Sequence, residues 1–395
     1  MMEIRIVHVT TVPMTLEFFF RGQIAYMKQR GFHVEAVSSP GEELTRVARR
    51  DNISVHPVPM TRTMSPVKDI IALFRLWALF RKIRPHIVHA STGKAGPLGI
   101  LAATLARVPV RVYTLRGVMV DRAAGPFRRL FRLAERCTCH LADRVLAVSG
   151  SVAAVMVRDG ICSPAKLKVA ANGSSNGVDS AIRFNPEKLD PEKRLVVRQR
   201  SHIPENGRVI GYVGRIVAGK GIREMAAAWA RIRRLLPNTF LLVIGPIEPQ
   251  DPVPPEILAI LAKDDRVRTI AYVPNEDMPY YYDLMDVVAF PSYSEGFPNV
   301  PLEAAAMQVP VVATRVTGCV DAVVDGETGL LVEAGDDRGL EMGLVRYLED
   351  DDLRKKHGAA ARERALNHYR PELVWESLHG EYTNLLAERA KYRFS

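Results

Sequence analysis

Long apolar runs are missing from this chain of 395 residues. No stretch reaches the ~18 consecutive apolar residues that a membrane-spanning helix needs, which argues against an integral membrane protein of that kind. The first residues, Met1 to Arg5, lead directly into a strand pattern without the charged and apolar regions of a signal peptide. We therefore expect a cytoplasmic protein.

Cysteine is scarce as well, with four residues at positions that match neither a disulfide framework nor a zinc site: Cys137, Cys139, Cys162 and Cys319. Cys137 and Cys139 fall one residue apart on a predicted helix, so their side chains diverge. We expect no metal, no redox centre and no cofactor.

Charge of one sign is unevenly distributed along the chain. The net charge is +10, but residues 1–180 carry 26 Lys and Arg against 12 Asp and Glu, and the remainder is acidic. A basic first half indicates an anionic partner: nucleic acid, an anionic membrane face or a phosphorylated substrate. Nucleic acid fits least, because the basic stretches lack interleaved stacking aromatics and any groove-reading motif. A merely solvated basic surface remains open.

Short apolar runs alternate with helix patterns in two series, which predicts an α/β protein with two parallel-sheet domains of Rossmann type. Between them lies a stretch rich in Asn, Gly, Pro and charge, as in linkers. We predict a first domain over 1–183, a linker over 184–205, a second domain over 206–370 and a C-terminal helix over 371–395 that packs back on the first domain. Ligands of such paired sheets bind in a cleft between them, at the carboxyl ends of the strands.

The most informative segment runs from Ser294 to Glu303, with the sequence Ser-Glu-Gly-Phe-Pro-Asn-Val-Pro-Leu-Glu. It joins a predicted strand over 286–290 to a predicted helix over 300–307. Free N–H groups at a helix start attract phosphate, but Glu295 and Glu303 would repel it unless they face uncharged hydroxyls. The segment therefore predicts a pocket for a sugar attached to a nucleotide diphosphate. For Glu303, the simpler alternative is a first-turn carboxylate that complements the helix dipole.

A second candidate is the loop Gly214-Arg215-Ile216-Val217-Ala218-Gly219-Lys220-Gly221, which follows a predicted strand over 209–213. Its glycines let the backbone approach a ligand, and Arg215 and Lys220 can both reach one diphosphate. It is not a P-loop, because the Gly-Lys pair is not followed by Ser or Thr. Alone, such a loop is usually just solvated.

With these segments in place, the chain resembles the retaining GT-B glycosyltransferases of family 4. The resemblance rests on the two segments above, on Asn176-Gly177-Val178-Asp179 and on Asp325-Gly326 with Thr328-Gly329. Gly173-Ser174-Ser175 and Thr317-Gly318-Cys319-Val320-Asp321 resemble a subgroup that builds bacterial capsule or exopolysaccharide. The similarity spans nearly the whole chain and implies two Rossmann-like domains that face each other across a cleft.

The resemblance implies roles for individual residues. Arg215 and Lys220 would hold the donor diphosphate and stabilise the leaving group, Glu303 would accept both ribose hydroxyls, and Glu295 would lie beside the donor sugar, all without a metal. The catalytic set is Arg116, Arg215, Lys220 and Glu295. The donor set is Gly214, Arg215, Lys220, Tyr272, Val273, Glu295, Gly296, Phe297, Asn299, Val300 and Glu303.

Two departures from the family pattern bear on mechanism. Where relatives carry a His after a strand of the first domain, this chain has Arg116, which stays protonated and cannot act as a base. Pro298 stands where many relatives have Gly, and it removes one N–H donor. Displacement at the front face, with the leaving phosphate accepting the proton, therefore fits better than a His base.

Acceptor binding is assigned to Arg21, Lys94 and Arg116, with a solvated Lys94 as an equal alternative. His89 is interpreted as a strand-end histidine whose hydrogen bonds are satisfied. The segments 66–83 and 126–141 combine apolar and basic residues, as membrane-surface helices do. For 66–83 we favour packing of the apolar residues on the first sheet, whereas for the cationic side of 126–136 both interpretations stand equal.

The sequence thus predicts a metal-independent hexosyl- or N-acetylhexosaminyl-transferase. Its donor would be a nucleotide diphosphate-sugar, a UDP-sugar by resemblance. Its acceptor would be a saccharide or a polyprenyl diphosphate-linked saccharide of surface polysaccharide synthesis, at the inner face of the cell membrane. The alternatives are a GT-B sugar-nucleotide epimerase and a non-catalytic component of a polysaccharide assembly complex that binds lipid or nucleotide sugar.

Overall fold

The computed structural model describes residues 3–61, 63, 65–117, 126–249 and 251–391. Two compact units make up the chain: Met1–Asn176 with Pro371–Ser395, and Gly177–Arg370. We refer to them as the first and second units. The division falls after Asn176, so residues 177–183 belong to the second unit and not, as predicted, to the first.

The first unit contains a parallel sheet of seven strands in the order β3-β2-β1-β4-β5-β6-β7. The strands in the middle of the sheet are mostly buried, as expected for a sheet covered on both faces. The strands are β1 (Ile4–Val9), β2 (Phe32–Ser38), β3 (Ser54–Pro57), β4 (Ile87–Ser91), β5 (Val110–Leu115), β6 (Arg144–Ala147) and β7 (Leu167–Val169).

Helices cover both faces of this sheet, and the helices of each face share one hydrophobic core with it. One face is covered by α4 (Pro66–Ile83), α5 (Ala95–Leu105), α6 (Pro126–Leu141) and α7 (Gly150–Arg158). The other face is covered by α1 (Pro13–Phe19), α2 (Gln23–Gln29), α3 (Glu42–Asp51) and, from the end of the chain, α16 (Pro371–Lys391).

The pattern of residues 16–30, which Gly31 follows, predicts a single helix, but the structure has two helices, α1 and α2, separated at Gly22. Gly22 has φ +80°, and a Cβ added there would lie 2.6 Å from Cζ2 of the Trp375 ring of α16 and closer still to Cη2. A residue in the left-handed region cannot continue an α-helix, so the chain turns where α16 packs against it.

The second unit contains a parallel sheet of six strands in the order β10-β9-β8-β11-β12-β13. Its strands are β8 (Arg208–Val213), β9 (Thr239–Ile244), β10 (Val267–Ile270), β11 (Val287–Phe290), β12 (Val311–Thr314) and β13 (Gly329–Val332). Its helices are α8 (Pro191–Arg200), α9 (Ile222–Leu235), α10 (Pro255–Lys263), α11 (Met278–Asp283), α12 (Asn299–Ala306), α13 (Cys319–Ala322), α14 (Asp337–Glu349) and α15 (Asp351–His368).

The predicted linker over 184–205 contains a helix, α8, that belongs to the second unit. Asp190 caps its first turn by accepting from the N–H groups of Glu192 and Lys193. Arg194 donates through Nε to Asp283 at 2.7 Å, which holds α8 on α11. The charges that resemble linker chemistry in the sequence are therefore helix caps and ion-pair partners.

Candidate active site

The loop after β8 follows the neighbouring strand β9 beyond the end of the sheet. The N–H of Ile216 donates to the carbonyl of Pro246 at 2.8 Å. Gly245 has φ +147°, and a Cβ added there would lie 2.6 Å from the carbonyl carbon of Gly214. Only glycine allows the two loops to approach this closely.

The second half of the same loop folds back toward β11. Tyr212 donates its hydroxyl to the carbonyl of Lys220 at 3.2 Å, and the N–H of Gly219 donates to Asp251 at 2.8 Å. Gly221 has φ +71°, and a Cβ there would lie 2.8 Å from the carbonyl carbon of Pro291. Because β8 and β11 are adjacent, the loop lies against the segment that leaves β11.

This arrangement brings Lys220 onto Glu295. The two side chains form an ion pair, 20% and 11% exposed respectively, and the Lys220 ammonium lies 5.7 Å from the centre of the Phe290 ring. The two motifs noted in the sequence, one after each strand, thus meet at one edge of the second sheet. A cation and a carboxylate placed together can hold phosphate and hydroxyl oxygens of one ligand.

The turn that carries Glu295 is held by Thr317 and Gly318. Thr317 donates its hydroxyl to the Glu295 carbonyl at 3.0 Å. Gly318 has φ +76°, and a Cβ there would lie 2.7 Å from the carbonyl carbon of Gly296 and closer still to its oxygen. Phe297 is buried, with its ring centre 5.4 Å from that of Tyr369, which anchors the turn from the other side.

Helix α12 begins at Asn299, directly after Pro298. Asn299 Oδ1 is buried and has no hydrogen-bond partner among the described residues. Glu303 is the fifth residue of the helix and there is no acidic residue in the first turn, so the alternative of a first-turn carboxylate is wrong.

The Glu303 carboxylate points to the hydroxyl of Tyr282 on α11, which donates to Oε2 at 2.8 Å. Burial raises the pKa of Glu303 above its usual value, and the Tyr282 hydrogen bond offsets only part of that rise. Glu303 is therefore a desolvated carboxylate. Such a group needs hydrogen-bond donors in place of water, and a hydroxyl can supply one.

Two residues of the predicted donor set have side chains that are more exposed than those of Lys220 and Glu295. Arg215 pairs with Glu248 at 2.7 Å, and its side chain is 46% exposed. Tyr272 is 77% exposed, whereas its neighbour Val273 is buried. The Tyr272 side chain thus lies largely in solvent.

In the first unit, Arg116 follows β5 and is enclosed by aromatic rings. Its guanidinium carbon lies 4.9 Å from the ring centre of Phe19 and 5.5 Å from that of Phe20. Nε and Nη1 are buried and have no hydrogen-bond partner in the described chain. Burial lowers the pKa of Arg116 to about 10, so the side chain still carries its proton at neutral pH.

His89 is confirmed as a histidine with satisfied hydrogen bonds. Its Nδ1 lies 2.5 Å from the Tyr382 hydroxyl and its Nε2 lies 2.6 Å from the Thr114 hydroxyl. His8 on β1 is also fully buried, but neither ring nitrogen has a partner among the described residues. Burial, with the nearby Arg116 charge, lowers the pKa of His8 to about 3, so its ring is neutral.

A cavity of about 20 Å³ opens beside these groups, lined by Gln23, His89, Thr114, Arg116 and Ser174 among others. The Gln23 amide nitrogen is buried and likewise unpartnered within the described ranges. This volume holds a water molecule but not a sugar ring.

The other two predicted acceptor residues differ in their surroundings. Lys94 donates to Asp69 at 2.7 Å and to the Thr61 hydroxyl at 3.0 Å, and its side chain is only 13% exposed. The alternative of a solvated lysine is therefore wrong. Arg21 is exposed, and its carbonyl accepts from the Asn176 amide at 3.0 Å.

Several residues of the site were not found by sequence reasoning. Tyr282 and Gln23 carry no local motif, and only the fold places them beside Glu303 and Arg116 respectively. Thr317 and Gly318 were noted as similar to the capsule subgroup, but their contact with the turn at Glu295 was not predicted.

Comparison with known proteins identifies the family. The family described as "Glycosyl transferases group 1" matches residues 194–364, and the "Glycosyl transferase 4-like domain" matches residues 16–173. The chain is 34% identical to the capsular polysaccharide biosynthesis glycosyltransferase CapM of Staphylococcus aureus, over 97% of this chain and 98% of that protein. It is 31% identical to the D-inositol 3-phosphate glycosyltransferase of Corynebacterium efficiens, over 72% of this chain and 68% of that protein.

Among solved structures, a glycosyltransferase from Rickettsia africae has a TM-score of 0.81 at 20% identity, with 98% and 99% of the two chains covered. Anabaena HepE, solved with UDP and glucose, has a TM-score of 0.80 at 19% identity, with 96% and 100% covered. The solved structures thus share the fold of this chain, which has two parallel, Rossmann-like sheets. The chain belongs to the GT-B glycosyltransferases of family 4.

Proposed function

We propose that this glycosyltransferase moves a sugar, with retention of anomeric configuration, from a UDP-sugar to a saccharide or polyprenyl diphosphate-linked acceptor in capsule or exopolysaccharide synthesis. The second unit would bind the donor and the basic first unit the acceptor. The observation that carries the proposal is the meeting of Lys220 with Glu295 at the ends of adjacent strands. The name of the capsular relative CapM supports the assignment to capsule synthesis.

In this proposal each charged group has one task. Lys220 and Arg215 stabilise the negative charge that develops on the departing diphosphate, and Glu295 accepts from a sugar hydroxyl. Glu303 accepts from the ribose hydroxyls through the carboxylate oxygen that Tyr282 does not occupy. No step is assigned to a divalent ion, because the cations of the protein supply the charge.

The bond changes balance without a protein base. The bond between the anomeric carbon and the diphosphate oxygen breaks, a bond to the acceptor oxygen forms on the same face, and the acceptor proton moves to the leaving phosphate oxygen. Arg116 holds its proton at neutral pH, so we assign it to oxygen binding in place of the family histidine.

Donor binding is the first test. Purified protein titrated calorimetrically with a panel of UDP- and GDP-sugars should bind one donor and hydrolyse it slowly, in EDTA as well as in Mg²⁺. Lys220→Ala and Glu303→Ala should each weaken binding by roughly tenfold or more, because each removes a charged hydrogen-bonding partner. The exposed Lys263→Ala and Glu349→Ala, in the same unit, serve as matched controls.

The outcome separates this function from its alternatives. Transfer to an acceptor with the anomeric configuration retained, observed by NMR, supports the proposal. An isomerised sugar nucleotide would indicate an epimerase, and donor binding without turnover on lipid-linked acceptors would indicate a non-catalytic component. Failure to bind any sugar nucleotide would refute the assigned pocket.

A further inference from the structure

Helix α4 has two apolar faces, only one of which is buried. Ala72, Leu76 and Phe80 pack into the core of the first unit. The opposite side exposes a run of large apolar side chains, and the prediction that the apolar residues of this helix simply pack on the sheet is therefore wrong for this run. Its members, which we call the α4 stripe, are Val67 (71% exposed), Ile70 (55%), Ile71 (47%), Phe74 (63%) and Trp77 (38%).

Spacing places the α4 stripe on one face of the helix. With 3.6 residues per turn, the five positions fall within an arc of about 120°, centred opposite Leu76. Helices of globular proteins normally present polar residues on the face away from the core. An arrangement of this kind therefore needs a separate explanation.

Neighbouring helices extend the apolar surface. Helix α5 packs between α4 and α6 on the same face of the sheet. It exposes Leu101 and Leu105, one turn apart, and α6 exposes Leu130 and Leu133. Large exposed apolar side chains on three helices of one face are a feature of interaction sites in soluble proteins.

Cations surround these apolar side chains, and exposed carboxylates do not. Within the described parts of α4, α5 and α6, Asp69 is paired with Lys94 and Glu135 is buried against Tyr113, so neither presents a free charge. The exposed basic residues on α4 and α6 are Lys68, Arg75, Arg81, Lys82, Arg128, Arg129, Arg132 and Arg136.

We propose that the face formed by α4, α5 and α6 docks onto an anionic phospholipid bilayer, with the α4 stripe in the interface and the surrounding cations against lipid phosphates. Apolar side chains gain by leaving water, and each nearby Lys or Arg gains roughly fivefold in binding at an anionic surface. Trp77 is suited to this boundary because its ring is apolar and its N–H remains wet.

Charge selects the bilayer over a second copy of the chain. Two such faces brought together would oppose the same set of cations on each side, and like charges in contact are unfavourable. An anionic lipid surface offers the opposite charge over a wide area, and apolar side chains can insert into it to different depths. The inference deepens the proposed function by giving the enzyme a route to a lipid-linked acceptor, but it rests on the surface alone.

Vesicle sedimentation tests the proposal on the full chain. Wild-type protein should bind phosphatidylcholine vesicles that contain about one third phosphatidylglycerol, bind pure phosphatidylcholine weakly, and lose binding at high salt. Ile70→Ser with Phe74→Ser, or Lys68→Glu with Arg75→Glu, should reduce binding by roughly tenfold or more.

Matched controls keep the same chemistry elsewhere on the surface. Leu235→Ser with Met342→Ser removes two equally exposed apolar side chains of the second unit, and Arg234→Glu with Lys263→Glu reverses two exposed charges there. Both control pairs should bind anionic vesicles as the wild type does. Trp77 fluorescence should be quenched by brominated lipid, and Trp77→Phe should lose that quenching while the buried Trp229 stays unquenched.

The inference would be overturned if the wild-type protein failed to bind anionic vesicles. It would also be overturned if the Ile70→Ser/Phe74→Ser and Lys68→Glu/Arg75→Glu variants both bound them as tightly as the wild type. Self-association that the α4 stripe variants abolish, without vesicle binding, would assign the face to a second copy instead. Donor affinity measured on the same preparations separates the two proposals. A protein that binds vesicles but no sugar nucleotide refutes the function and leaves the surface standing.

Discussion

Replacing Gly318 with alanine tests whether the turn at Glu295 depends on a close backbone approach. Gly318 has φ +76°, and an added Cβ would meet the carbonyl group of Gly296 and lie 3.1 Å from the N–H nitrogen of Phe297. Both obstacles are backbone atoms, so no side-chain rotation relieves the clash. The Glu295–Phe297 turn must move away from Gly318 to admit the methyl group.

The expected loss of stability has two parts. A non-glycine residue in the left-handed region costs about 1–2 kcal/mol. Moving the turn also loses the hydrogen bond from Thr317 to the Glu295 carbonyl, worth about 1 kcal/mol, and disturbs the packing of Phe297. Gly318→Ala should therefore lower the free energy of unfolding by about 3 kcal/mol.

Gly326→Ala is a matched control in the same unit. Gly326 has nearly the same backbone angle, φ +74°, but nothing lies within 4 Å of an added Cβ. It should lose only the conformational part, about 1–2 kcal/mol. Urea unfolding followed by circular dichroism measures both variants on the same scale.

Function should separate the two variants more sharply than stability. A displacement of about 1 Å in a positioning group can reduce turnover by about 100-fold. Gly318→Ala should therefore lose donor affinity and turnover, whereas Gly326→Ala should keep both. Equal stability losses with unchanged donor binding in the two variants would refute the geometric argument.

Three further predictions concern charges of the first unit. Burial raises the pKa of Glu135 to about 7, so the free energy of unfolding of the wild type should fall as the pH rises from about 4.5 to 7. In urea titrations, Glu135→Gln should be more stable than the wild type by about 3 kcal/mol at pH ~8, and equally stable at pH ~4. A variant that shows the same pH dependence as the wild type would contradict this. Arg116→Met should gain about 1–2 kcal/mol of stability by removing buried unpaired nitrogens, while transfer activity falls; loss of stability would show that the guanidinium is paired. A double-mutant cycle of Lys94→Ala and Asp69→Ala should give a coupling of about 1–2 kcal/mol by urea unfolding, and a coupling near zero would argue against a structural role for this ion pair.

The hydrogen bond from Tyr282 to Glu303 should affect how donor affinity depends on pH. Tyr282→Phe removes the only hydrogen bond to the Glu303 carboxylate found among the described residues and leaves that carboxylate buried. The pKa of Glu303 should rise further, since the hydrogen bond now lowers it. Donor affinity in the variant should therefore begin to fall at a higher pH than in the wild type as the solution is acidified, in calorimetric titrations across pH. An unchanged pH profile would show that Glu303 does not bind the donor as a carboxylate.

Local sequence predicted most helices and strands because their signals lie within a few residues. The helices α4 and α6 occur over 66–83 and 126–141, the bounds of the two segments whose patterns indicate helices. Where prediction failed, distant contacts decided. Gly22 lies between α1 and α2, where it faces the Trp375 ring of α16, and α8 is stabilised by partners more than eighty residues away along the chain.

The sequence alone determined the class of fold, the position of the candidate site and the family. Alternating apolar runs require a covered parallel sheet, and the two motifs follow strands whose ends must share an edge. Tertiary structure alone decided which groups meet: Lys220 with Glu295, Tyr282 with Glu303, and Lys94 with Asp69. It also decided which apolar face of α4 is left in solvent. A helical pattern shows that two apolar faces exist, but only packing against a particular sheet determines which of them is buried.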